Sequence, residues 1–102
     1  MKSKLMITVV VVLLMGSSGT IMAKGDPIVG KSKADICASC HGVNGEGVEQ
    51  NPKIAGMAAG HFIKQMKAYK TGEHNHPMME MSLQKLSEQD LEDMAAYYAS
   101  LK

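Results

Sequence analysis

The chain has 102 residues, with eleven basic residues (all lysine) against ten acidic ones, four His, two Cys, one Phe and no Trp, for a formal net charge of +1. That length holds one small domain, near the size at which an apolar core alone barely suffices, so the fold needs a staple. No basic stripe interleaved with aromatic residues is present, which excludes a nucleic-acid surface.

The N-terminus reads as a leader. Lys2 and Lys4 form a basic start, Leu5 to Met15 is an apolar stretch of 11 residues broken only by Thr8, and small residues lead to Ala23. This is the layout of a secretory signal peptide over residues 1–23, with cleavage expected after Ala23. The apolar stretch is shorter than the roughly 20 residues a membrane-spanning helix needs, and an uncleaved anchor is the alternative. Residues 24–102 then form the mature domain, with nine lysines and ten carboxylates. Export places it in an oxidising compartment.

The first helix is expected from Asp26 to Cys37. Asp26 suits the N-cap and Pro27 the first helical position, while Val29 and Ile36 mark its buried face. Gly30 costs helix propensity, and a close helix crossing at that position is one reason to tolerate it. At its end stands Cys37-Ala38-Ser39-Cys40-His41, a C-x-x-C-H run, the attachment signature of a c-type haem. Two thiols three positions apart on one helical turn face the same way, so each can add across one vinyl group, and His41 is left beside the iron as a ligand. A redox dithiol wants a strand-helix-strand setting, and a four-ligand zinc site wants a second Cys or His pair at regular spacing. Neither is present: Cys37 and Cys40 are the only cysteines, and His74 and His76 stand closer together than the usual zinc spacing.

From Gly42 to Gly56 the chain reads as a loop punctuated by Gly42, Gly45, Gly47, Pro52 and Gly56. Long loops in small domains are usually functional, and this one is expected to wrap the proximal edge of the haem. The second clear helix runs from Ala59 to Thr71, with Gly72 as its C-cap. Phe62, Met66 and Tyr69 form its core stripe, and His61 sits at the surface or the haem edge. The segment 71–81 reads as an extended loop carrying His74, His76, Met78, Met79 and Met81. A Met thioether opposite the proximal His is a common sixth ligand in electron-transfer sites, and any of the three methionines, or either histidine, is available. Ser87 then caps the last helix, with Asp90 closing a capping box and Leu86 and Leu91 forming a hydrophobic staple. Leu91, Met94, Ala95, Tyr98 and Leu101 give its buried stripe, and the helix is expected to reach nearly to Lys102.

Taken together, residues 24–102 resemble a class I cytochrome c of the small bacterial periplasmic kind. The resemblance rests on Ile36-Cys37-Ala38-Ser39-Cys40-His41-Gly42, on Asn51-Pro52-Lys53-Ile54-Ala55-Gly56, on the stretch from Gln65 to Gly72, and on Leu86 to Leu91 leading into Ala95-Ala96-Tyr97-Tyr98. It implies an all-α fold with three main helices wrapped around one covalently bound haem c. In that family the axial Met lies about eight residues before the Ser that caps the last helix, which points to Met79 over its neighbours Met78 and Met81. A family proline, matched by Pro52, accepts a hydrogen bond from the other nitrogen of the ligating His. The chain departs from the pattern at Glu73, where an Arg often follows the glycine, and at Met79-Glu80-Met81, where Pro or Gly often separates the methionines.

The implied function is one-electron transfer by His/Met-ligated iron, with no substrate bound and no bond made, and so no enzyme activity. Its partners would be a redox donor and acceptor, with no nucleic acid, and with membranes touched only through membrane-bound partners or an uncleaved anchor. Two alternatives stand: the cytochrome subunit of a larger dehydrogenase or oxidase complex, for instance one oxidising sulfur compounds, and a haem enzyme or sensor with an open sixth position.

Overall fold

A computed structural model describes residues 24–102, so the expected leader over residues 1–23 lies outside the described residues. The described chain is helical: α1 (Pro27–Lys33), α2 (Asp35–His41), α3 (Ala59–Thr71), α4 (Pro77–Leu83) and α5 (Glu88–Ser100). Among the described residues there is no strand, only an isolated bridge between Val48 and Asn51.

The helix termini follow local chemistry. Asp26 caps α1, its carboxylate accepting from Ile28 N at 2.9 Å and Val29 N at 3.4 Å, with Pro27 at the first helical position. Gly72 ends α3 in the left-handed conformation. Ser87 and Asp90 form the reciprocal capping box of α5, with bonds of 3.0 and 2.9 Å.

Two expectations about elements are corrected. The first helix is not continuous. It closes at Lys33 with a tight turn, Ala34 N donating to Lys31 O at 3.2 Å, and restarts as α2, which carries the chain through the whole C-x-x-C-H run to His41. The buried positions of α1 and the turn after it are Gly30 and Ala34, whereas Val29 and Ile36 are exposed. The methionine-rich segment is also not extended: Pro77–Leu83 is a helix, capped by the His76 side chain and started by Pro77. Proline at the first position and good helix formers after it favour that outcome, and Met79 and Leu83, four apart, turn toward the core.

Helices α1 and α5 cross tightly, and α5 also packs on α3. A Cβ at position 30 would run into the Asp93 carbonyl and stand 2.9 Å from Tyr97 Cβ, so Gly30 is there for the close crossing. The same joint carries a polar lock. Buried Asp93 accepts from Asp26 N at 2.9 Å, Gln89 Nε2 at 3.0 Å and Lys33 Nζ at 3.1 Å, and Lys33 also pairs with Asp90. The Asp26 backbone N–H holds the Asp93 carboxyl below its ordinary range, Lys33 does the same to Asp90, and Asp90 in turn raises Lys33.

The core behind these helices is Phe62, Met66, Leu83, Leu91, Met94, Ala95 and Tyr98, all buried. Phe62 stacks on Tyr98 with ring centroids 5.6 Å apart, and burial of side chains of this size is worth about 1.5–3 kcal/mol each. The loop 42–56 is tied to the core by its backbone: Gly47 N donates to His41 O at 2.7 Å and Gly56 N to Tyr98 O at 2.8 Å.

Candidate haem site

Helix α2 delivers three chemically active side chains to one place. Cys37 is half-buried, Cys40 is exposed, and both are free thiols. His41, in the last position of α2, is only 7% exposed. Its Nδ1 lies 2.7 Å from Pro52 O. A carbonyl only accepts, so the ring donates through Nδ1 and keeps its lone pair on Nε2. The Pro52 peptide is positioned in turn by the residue before it, Asn51, whose Nδ2 donates to Cys40 O at 2.8 Å.

These residues face a cavity of about 360 Å³. Its walls come from four parts of the chain: α2 (Ile36, Cys37, Cys40, His41), the loop (Gln50, Asn51, Pro52, Ile54, Met57), α3 (Phe62, Met66, Tyr69) and α4 (Met78, Met79, Leu83). His61 and His76 also line it. No residue of α5 does; that helix supports the walls from behind.

The structure treats the three candidate methionines differently. Met79 lines the cavity and packs against the core. Met78 lines the cavity but is 64% exposed, and Met81 is 69% exposed and outside the lining. Met66 faces the cavity from within the core cluster, in keeping with its place on the α3 stripe. His74 and His76 are exposed, yet His76 also acts locally, its Nδ1 accepting from Met79 N at 3.3 Å. His is an unusual N-cap, so this role does not stand out in the sequence. The pair His76-Pro77, ahead of Met79 and Leu83 at helical spacing, was the available signal.

Burial pushes the Cys37 thiol up to about 11, opposed by the neighbouring Tyr98 hydroxyl. Burial also raises Tyr98. The Tyr98 hydroxyl is buried, with no partner in ordinary hydrogen-bond geometry among the described residues, and lies beside the Cys37 sulfur.

The donor set fits a haem c: two unpaired thiols on one helical turn, an imidazole with one nitrogen fixed and the other free, a thioether on the α4 side, and a largely apolar lining. Residues 29–102 match the sequence profile of the Cytochrome c family. The chain belongs to the cytochrome c family. The family carries an iron-containing haem c bound covalently to the chain, and the single matching domain corresponds to one haem.

Among curated relatives, the chain is 42% identical over 91 residues to cytochrome c4 of Pseudomonas aeruginosa, covering 88% of this chain and 45% of that protein. It is 36% identical over 80 residues to cytochrome c-554(548) of Halomonas halodenitrificans, covering 74% of this chain and 96% of that protein. The crystal structure of reduced recombinant cytochrome c4 from Pseudomonas stutzeri superposes with a TM-score of 0.69 at 37% identity, covering 76% of this chain and 46% of that one. The chain thus spans about half the length of the cytochromes c4 it matches, and nearly the whole of the shorter relative. The likeness bears out the all-α class I cytochrome c fold.

Proposed function

We propose that the chain is an exported, single-haem electron carrier, with Cys37 and Cys40 as thioether attachment points and His41 and Met79 as the axial ligands. The observation that carries this reading is the pairing of His41 Nδ1 with Pro52 O at 2.7 Å beside a cavity that Met79 also lines.

When bound, the haem supplies a one-electron ferric/ferrous couple whose potential rises with a Met ligand. The chain's own residues set the conditions. Pro52 fixes the imidazole plane and, by accepting from Nδ1, makes Nε2 a better donor. Met79 offers a soft sulfur, which favours the ferrous state. Ile54, Phe62 and Leu83 exclude water from the inner wall. A wall already fixed by helix packing leaves little to rearrange when the charge changes, which suits outer-sphere transfer. A partner's access is at the α2 and α4 rim, where Cys40 and Met78 are exposed.

The experiment is spectroscopic. Exported protein should be red, with the mass of one haem added, and the ferric form should show a near-infrared methionine-to-iron charge-transfer band. Met79→Ala should abolish that band and lower the potential. If the band survives in that variant, the ligand moves to Met78 or Met81. High-spin spectra with rapid carbon monoxide binding by the parent protein would favour an open-site enzyme or sensor instead. N-terminal sequencing of the exported protein, expected to begin at Lys24, tests the leader.

A further inference from the structure

The candidate sulfur ligand stands on a short support. Helix α4 has seven residues, fewer than an isolated helix needs to hold itself together. Met79 is its third residue, so the Met79 N–H belongs to the first turn and has no acceptor within the helix. His76 supplies one: its Nδ1 accepts from Met79 N at 3.3 Å, while its carbonyl accepts from Glu80 N at 2.9 Å. The acceptor role requires the tautomer with hydrogen on Nε2. The ring itself is held against α3, edge-on to Tyr69 with centroids 6.1 Å apart, and His74 lies against the same tyrosine at 5.3 Å. His76 also lines the cavity. One side chain therefore joins the cavity wall, the backbone of Met79 and the neighbouring helix.

We propose that His76 is a positioning residue for the Met79 sulfur: its imidazole caps α4 and sets the depth at which Met79 enters the cavity. The proposal rests on the reading of Met79 as the sixth ligand. Without the cap the first turn of α4 frays, the sulfur leaves the site more often, and outside ligands compete better for the vacated position.

The test is imidazole titration of the ferric, haem-loaded protein in three variants. His76→Ala removes the acceptor. His76→Asn keeps one, since Asn is among the best N-cap residues. Met79→Leu removes the sulfur. His76→Ala should raise imidazole affinity about fivefold, the ratio one ordinary capping interaction supplies, and weaken the charge-transfer band. His76→Asn should stay within about twofold of the parent, since its cap is of comparable strength. The proposal is overturned if His76→Ala binds imidazole like the parent, or lowers the unfolding temperature with no change in imidazole affinity. It is equally overturned if His76→Asn shifts as far as His76→Ala, because then the cap is not what matters. Met79→Leu separates the two levels. A band that survives there refutes the ligand reading and the His76 proposal with it. A band lost there beside an inert His76→Ala refutes only the role of His76.

Discussion

Tyr98 puts a hydroxyl where nothing bonds it in ordinary geometry, fully buried between Phe62, Tyr97 and the Cys37 sulfur. A buried polar group without a partner costs about 1–3 kcal/mol. Tyr98→Phe keeps the ring and its stacking and removes only that cost. Its midpoint in a denaturant titration is expected at or above that of the parent, whereas Tyr98→Ala should lose about 3–5 kcal/mol. A loss above about 1 kcal/mol in the Phe variant would show instead that the hydroxyl makes a working bond to the Cys37 sulfur. At this scale the proximal half of the candidate site is plain in the sequence, because Cys37, Cys40 and His41 are adjacent and their spacing has one dominant chemical use. The distal half is less so. Met78, Met79 and Met81 are chemically identical; the family spacing before Ser87 favours Met79, and burial then sets it apart from the exposed Met78 and Met81.

Between elements, the α1–α5 joint makes the sharpest predictions. Gly30→Ala would push a methyl into the Asp93 carbonyl, and a loss of roughly 3 kcal/mol is expected from overpacking at a rigid crossing. The acid limb of stability should belong to the same joint. Asp90 and Asp93 are held below the usual 3.8, so they contribute stability above that value and lose it as pH falls through their depressed folded values. Lys33, raised above 10.5, contributes below that value and loses its part as pH climbs past it. Urea titrations should therefore show this contribution flat between about pH 5 and 9 and falling below pH 4, with a shallower fall in Asp93→Asn. Helices α3 and α5 are legible in the sequence because each has a strong stop or start signal, Gly72 and the Ser87–Asp90 box. The break at Ala34 is not, because no Pro marks it and its cause is tertiary: α1 must lie along α5 while α2 turns its thiols to the cavity. Helix α4 is hidden for a related reason. Seven residues show too little periodicity to stand out, and their methionines, beside two histidines, suit a ligand-bearing loop as well as a helix.

For the molecule as a whole, the cavity sits where a small domain would otherwise place its core. Ile54, Phe62, Met66 and Leu83 belong to the core cluster and line the cavity at once. Filling that space is therefore part of folding: a haem tethered through Cys37 and Cys40 stays on the unfolded chain as well, and it would stabilise the fold through the apolar burial and iron ligation gained only in the native state. The Cys37→Ala/Cys40→Ala protein, unable to attach haem, is expected to show little helical circular dichroism and no cooperative melt. A helical variant that melts sharply would show that α1, α3 and α5 suffice alone. That an all-α domain would need such a staple is already implied by a chain with one Phe and no Trp. Which walls the staple joins is not, since that depends on α2 and α4 lining the same cavity.

The anchoring of Asp26 N to Asp93, with Gly25 lying against the Glu92 carbonyl, fixes where the start of the described chain leaves the surface. It departs over α5, the helix that gives the cavity none of its lining. A linker joined at Lys24, whether to an electrode, a resin or a fused enzyme, would hold the protein by its back and leave outward the rim around Cys40 and Met78, the proposed place of electron exchange.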